Sequence, residues 1–222
     1  MSAPDIFLIT SVINTGNNRW SYTATRSVYS TQERFDQTLH TIQSIRDLSD
    51  GSLIFLSECS DLSSEMTEIL KSRVDFLQQN YTNDYCRNAC INSEKKGYGE
   101  LVKTKLALEF LKYNNIVFNR LFKISGRYFL NGEFKKSAFS STDYVFRVFF
   151  PASSVHSTVL YSVPRRLLDH FQDVLTTCES IYKQRVAALE EILPPRCDPK
   201  SCISILGVSG HVAVTLGEFW SG

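Results

Sequence analysis

The chain has 222 residues, with 24 Lys and Arg against 23 Asp and Glu, a formal net charge of +1, and 43% hydrophobic and 12% aromatic residues. A chain of this length buries about 70% of its unfolded surface, so a single domain spanning residues 1–222 needs no disulfide scaffold. The balanced charge argues against the broad electropositive face that duplex nucleic acid requires, and nucleic acid is not expected as a partner.

The start, Met-Ser-Ala-Pro-Asp, has no basic region, and the apolar run 6–13 is too short for a signal peptide or a membrane span. A soluble, cytoplasmic protein is expected, with no integral membrane segment. Its six cysteines then read as reduced thiols. The pairs Cys86/Cys90 and Cys197/Cys202 lack the tight CxxC knuckle of a zinc site and lie far apart, so zinc is not expected.

In chain order, residues 5–13 form a near-continuous apolar run, the signature of a buried parallel strand. A long polar and aromatic loop with Trp20, Tyr22, Arg26 and Tyr29 follows; such loops at strand ends are usually functional or mobile. Ser30 and Glu33 have capping-box spacing, and Phe35, Leu39, Ile42 and Ile45 share a helical face, predicting a helix to about Arg46. The plan repeats as a strand over 52–57, a helix to about Ser72 and a short strand over 73–78. Residues 79–96 are polar and aperiodic, a covering loop. A helix over 101–112 and a strand over 116–124 complete the first half. The second half has a connector over 132–142, strands over 143–150 and 157–163, and one apolar stripe from Leu167 to Leu193 that predicts a long helix stopped by Pro194 and Pro195. Pro164 suits the first helical position. A strand over 202–206 runs into a glycine-rich return over 207–217. The alternation of strands and helices implies a three-layer α/β domain with a mainly parallel sheet.

The strand over 116–124 halts at Ser125-Gly126, and ligands in open α/β sheets sit at such carboxyl ends. Arg127 follows, an always charged planar fork that suits phosphate. Upstream, Gly97, Gly99 and Glu100 stand where a loop enters a helix, whose first amides and dipole favour an anion. Both signals have plainer readings: an arginine paired with a carboxylate at the sheet edge, and a turn with an acidic residue that complements the helix dipole. Lys95, Lys96 and Lys103 read as a solvated face, and Lys123 as a residue on the far side of its strand.

The order of glycine-rich turn, amphipathic helix, apolar strand and Lys123-Ile-Ser-Gly-Arg-Tyr128 resembles short GT-A-type glycosyltransferase-like proteins of large viruses and bacteria. The matching segments are 6–11, 22–44, 96–131 and 206–217. The resemblance implies a GT-A-like, Rossmann-like fold with a nucleotide-sugar half over about 1–131 and an acceptor half over about 132–222. It implies a nucleotide diphosphate sugar as donor and a glycan, protein or lipid hydroxyl as acceptor. Common GT-A proteins hold a divalent metal, manganese or magnesium, with Asp-x-Asp at this strand end. Here Ser125-Gly126-Arg127 takes that place, so the motif gives a metal no support.

The resemblance sets the site. Arg127 would neutralise the leaving diphosphate, with Ser125, Gly126, Gly97, Gly99, Glu100 and a late histidine, His211, around it. Thr10 and Ser11 would meet the base and ribose, with Arg26 or Tyr22 bridging to the base or stacking on it. For acid-base work, Glu58, Glu133, Asp143, Glu190 and Glu191 compete, and Asp143 is preferred for its place after the connector. A non-catalytic nucleotide- or glycan-binding module on the same fold is the alternative. A third reading, assembly through the Leu167–Leu193 stripe, requires that stripe to be exposed. Gly207-Val-Ser-Gly-His approaches the nucleophile elbow but lacks its last glycine and a following helix, which argues against a serine hydrolase.

Overall fold

A computed structural model describes residues 3–16, 18–20, 23, 25–148, 155–213 and 219–222. Tyr22, the strand end at 149–151 and residues 214–217 of the glycine-rich return lie outside the described residues.

Strand β1 (Ile6–Ser11) is buried along its whole length. Helix α1 (Thr31–Leu48) opens with the predicted capping box: Glu33 N donates to Ser30 Oγ at 3.3 Å, and Ser30 N donates to Glu33 Oε2 at 2.7 Å. Strand β2 (Leu53–Glu58), helix α2 (Ser64–Arg73) and strand β3 (Phe76–Gln79) repeat the unit. The expected covering loop is more structured than its composition suggests, holding the one-turn helix α3 (Asp84–Arg87) and a π-turn over Asn88–Asn92. Helix α4 (Tyr98–Tyr113) leads to β4 (Arg120–Ser125), which starts four residues later than the apolar run. After the Gly126-Arg127 turn comes β5 (Tyr128–Leu130), followed by β6 (Val145–Val148) and β7 (His156–Pro164). Pro164 therefore ends a strand rather than starting a helix.

The long predicted helix is broken. Helix α5 (Leu168–Gln184) ends before Ala187 and Ala188, and one-turn helices α6 (Leu189–Ile192) and α7 (Pro194–Cys197) follow. Pro194 and Pro195 sit at the start of α7, where a missing N–H costs nothing. The apolar stripe is the inner face of α5: Phe171, Val174, Leu175, Cys178 and Tyr182 are buried in one cluster with residues of α4. The exposed stripe that assembly requires is therefore absent from this helix. Strand β8 (Ser201–Ile203) precedes β9 (Val208–His211) and β10 (Phe219–Ser221).

The large sheet has the order β3-β2-β1-β4-β7-β6-β8, and β7 alone runs against the others. Side chains alternate across it, with Ile6, Leu8 and Phe55 joining the α4/α5 core on one face. Phe7, Ile9 and Phe122 join the α1 core on the other. Each such fully buried side chain contributes about 1.5–3 kcal/mol. A second, antiparallel sheet, β10-β9-β5, continues from the end of β4. The fold is thus α/β in three layers with a mostly parallel sheet. What positions the site is the reversal of strand order at β1, which places the carboxyl ends of β1 and β4 side by side.

Candidate functional site

At that switch point lies a cleft of about 870 Å³, part of it open to solvent. Thr10 and Ser125 are register partners there, and Gly126 N donates to Thr10 O at 3.0 Å. From α1, Thr38 Oγ1 donates to Gly126 O at 3.1 Å and lies 3.2 Å from Ser11 Oγ. A Cβ on Gly126 would stand 3.1 Å from Ser11 Cβ, so the glycine lets the two strand ends and α1 close together. Opposite them, Gly97 begins α4 with φ of 84°, and a Cβ there would meet the Tyr182 hydroxyl at 2.5 Å. No side chain caps α4, whose first turn borders the cleft through Gly99 and Glu100. Such an end favours an anion.

The charges lining the cleft are unequal: Arg26, Arg34, Lys96, Lys103 and Arg127 against Glu100 alone. Each cation is held differently. Arg127 Nη1 donates to His211 O at 2.7 Å, and among the described residues no carboxylate pairs with it. Arg34 Nε donates to Val12 O at 2.8 Å; burial and then the like charge of Arg127 push its guanidinium below the ordinary arginine value. Lys103 is buried, not solvated, and its Nζ donates to Ser11 O at 2.6 Å. Arg26 lies 4.0 Å over the Trp20 ring, and its donors reach Asn18 O at 2.9 Å, Cys90 O at 2.7 Å and Ser93 O. That guanidinium clamps the long loop to the π-turn.

Lys123 is fully buried, and its Nζ is ion-paired with the Glu100 carboxylate and donates to Ser125 Oγ at 3.1 Å and Thr158 O at 3.2 Å. Burial pushes its pKa down, and Glu100 opposes that shift. The pair fixes the Glu100 carboxylate on the cleft wall.

Asp143 is not part of this arrangement. It precedes β6, which runs in the same direction as β4, so it stands at the amino edge of the sheet, where Arg120 Nη1 donates to Asp143 O at 3.4 Å. The six residues of β4 separate the two edges by about 20 Å at strand spacing. The connector carries the chain back to the amino edge before β6 starts, so a place after the connector is not a place beside Arg127. Glu58 is buried at the end of β2, where its Oε1 accepts from Ile13 N at 3.0 Å and Ser60 Oγ at 2.5 Å, holding the loop that leaves β1. Glu190 accepts from Thr158 Oγ1 at 2.9 Å, behind Lys123. The His211 ring packs edge-on against Tyr29 and Phe219, and it is the His211 carbonyl, not the ring, that touches Arg127.

Thr10, Ser11, Arg26, Gly97, Gly99, Glu100, Ser125, Gly126 and Arg127 therefore share one cleft. Arg34 and Lys103, which sequence reasoning did not select, also line it. Arg34 carries no local signal, since it sits within an ordinary helical face of α1. A manganese or magnesium ion does not fit this donor set: it wants several hard oxygens, and Glu100 is a single carboxylate already paired with Lys123.

No protein-family model and no curated protein matches the chain. Solved structures do. A glycosyltransferase involved in the glycosylation of the major capsid of PBCV-1 aligns over 90% of this chain and 80% of its own, with TM-score 0.50 and 9% identity. The glycosyltransferase GlyE of Streptococcus pneumoniae TIGR4 aligns over 92% of this chain and 46% of its own, with TM-score 0.54 and 9% identity. The nucleoside-diphosphate-sugar pyrophosphorylase of Vibrio cholerae RC9 aligns over 91% and 93%, with TM-score 0.52 and 10% identity. The fold is that of GT-A-type nucleotide-sugar enzymes. At such identity the likeness establishes fold alone. No helix among the described residues is long and apolar enough to cross a membrane.

Proposed function

We propose that the chain is a glycosyltransferase that moves a hexose from a nucleotide diphosphate sugar to a hydroxyl of a glycan, protein or lipid. The observation that carries this reading is Arg127, a cation with no carboxylate partner among the described residues, at a β1/β4 switch point in a cleft whose lining charges are five cations and one acid. A diphosphate supplies the missing negative charge. In the transfer, the bond from the anomeric carbon to the diphosphate oxygen breaks and its electron pair leaves with the nucleoside diphosphate. Arg127 and the first turn of α4 stabilise the charge as it develops, and Lys103 adds its field. The acceptor oxygen bonds to the anomeric carbon, and its proton passes to Glu100 or to the departing diphosphate. Thr10, Ser11 and the Arg26–Trp20 stack form the wall for ribose and base. Donor handling proceeds without a divalent metal, arginine and helix amides serving instead. This reading places the nucleotide-sugar half over about 1–131 and the acceptor half beyond it.

A non-catalytic nucleotide- or glycan-binding module is the second reading, favoured by one observation: the sole carboxylate lining the cleft is tied to Lys123. Calorimetric titration with a panel of nucleoside diphosphates and their sugars, in chelator, tests both. Binding of one donor that falls at least tenfold in Arg127→Ala supports the diphosphate site, and slow donor cleavage supports turnover. Binding of no nucleotide, or equal binding by the variant, removes the proposal; tight binding without any cleavage leaves the module.

A further inference from the structure

Beside the cleft, and independent of its proposed function, three thiols converge. Cys59 follows β2, Cys86 belongs to α3 and Cys90 to the π-turn, and their sulfur atoms all lie within 4.8 Å of one another. Cys59 and Cys86 have no solvent exposure, and Cys90 has 4%. The Cys86 and Cys90 sulfurs are 3.8 Å apart. That spacing is what a metal–sulfur bond of about 2.3 Å and a tetrahedral angle produce, about 3.8 Å between neighbouring sulfurs. Gly99 adds a further observation, because a Cβ there would stand 2.8 Å from Cys90 Cα. The first turn of α4 is thus pressed against the cluster.

Charge completes the site. Three thiolates with a divalent ion leave a single negative charge, and the buried cations Arg26 and Lys103 both exert their field on Cys90. Among the described residues this is the group of His, Cys, Asp and Glu side chains whose ligand atoms lie close enough to share an ion. Cys197 and Cys202 take no part: Cys197 is buried elsewhere, and Cys202 is exposed beside His156 Nε2 at 3.5 Å.

We propose that Cys59, Cys86 and Cys90 form a three-thiolate site for a thiophilic d10 metal ion, with zinc(II) as the probe. Binding exchanges three thiol protons for the ion, which pins the segment around α3 and the π-turn to the edge of β2 and the start of α4. The fourth tetrahedral position falls to a backbone carbonyl or to solvent from the cleft, which Cys90 borders. The opposing account is that the three thiols are small apolar groups filling a core, and it predicts no metal at all.

The test is metal content of the full chain, reduced and freed of metal, then equilibrated with zinc(II) or cadmium(II). One equivalent per chain is expected, with a sulfur-to-metal charge-transfer absorption for cadmium. Binding should vanish in Cys86→Ser and persist in Cys202→Ser. Should Cys86→Ser fail to fold, the unaltered chain still decides: its melting temperature rises with zinc and returns with chelator if the site exists. A reduced, folded chain whose six thiols all titrate in denaturant, yet which binds neither ion at one equivalent, overturns the proposal. So does a bound ion that is unaffected in a folded Cys86→Ser. A chain that only forms a Cys86–Cys90 disulfide in air and takes up no metal under reductant also overturns it.

Discussion

Two arginines flank β4, and they have opposite surroundings. At the amino end, Arg120 donates to Ser162 Oγ at 2.8 Å, to Asp143 O at 3.4 Å and to Ser141 O, and burial lowers its pKa. It ties β4 to β7 and to the loop before β6. At the carboxyl end, Arg127 makes one bond to a carbonyl, no ion pair among the described residues, and faces a cleft with four other cations. A guanidinium whose hydrogen bonds join three segments of the chain is architecture. A guanidinium with no ion pair among the described residues, in a cleft lined by four further cations and one acid, has surroundings that an anion would complete, because like charges gathered at a strand end cost stability.

The largest expected effect is at Glu100, which lines the cleft and pairs with the buried Lys123. Removing it as Glu100→Ala strands the buried Lys123 without its carboxylate, and the expected loss is about 3–5 kcal/mol in urea denaturation. A loss below about 1 kcal/mol would mean that Lys123 finds other compensation. Arg127→Ala should weaken nucleoside diphosphate binding roughly 30–100-fold, about 2–3 kcal/mol for a charge-assisted pair, while shifting stability by less than about 1 kcal/mol. Arg120→Ala should do the reverse, costing about 2 kcal/mol of stability and leaving the affinity of the folded protein unchanged; titration and melting of both variants check the pair together.

A pH experiment sharpens the contrast from outside the cleft. Burial alone would raise the Glu179 pKa, but hydrogen bonds from Lys105, Lys183 and Tyr85 bring it down to about 2. A carboxylate depressed in the folded state stabilises fully above its unfolded value and loses that contribution as pH falls toward 2. The stability gap between the parent and Glu179→Gln should therefore be wide at pH 6 and shrink by pH 3, as followed by urea melts. The smallest effect is local: Ser30→Ala removes the cap of α1 and should cost about 1 kcal/mol without touching ligand binding.

Much of this was legible in the residues because short-range rules govern it. The fully buried β1, the Ser30/Glu33 cap, the Ser125-Gly126 stop and Gly97 at the start of α4 each obey a local requirement of backbone or burial. Where the reading failed, the deciding contact was distant. Lys103 reads locally as a solvated charge and Lys123 as a residue on the far side of its strand, whereas Ser11 and Glu100, 92 and 23 residues away, hold their ammonium groups. The break after α5 gave no apolar signal, since the stripe continues through Leu189 and Ile192, both buried.

The elements and the polar strand end are therefore readable from the residues, for these depend on neighbours within a few positions. Which charges are neutralised follows from contacts between distant segments. The tertiary structure placed Asp143 at the amino edge, away from Arg127, by running β6 parallel to β4, gathered Arg34 and Lys103 onto one cleft, and brought Cys59 to Cys86 and Cys90. Side-chain charge and thiol chemistry depend on partners within a few ångströms, and sheet order, not chain order, supplies those partners.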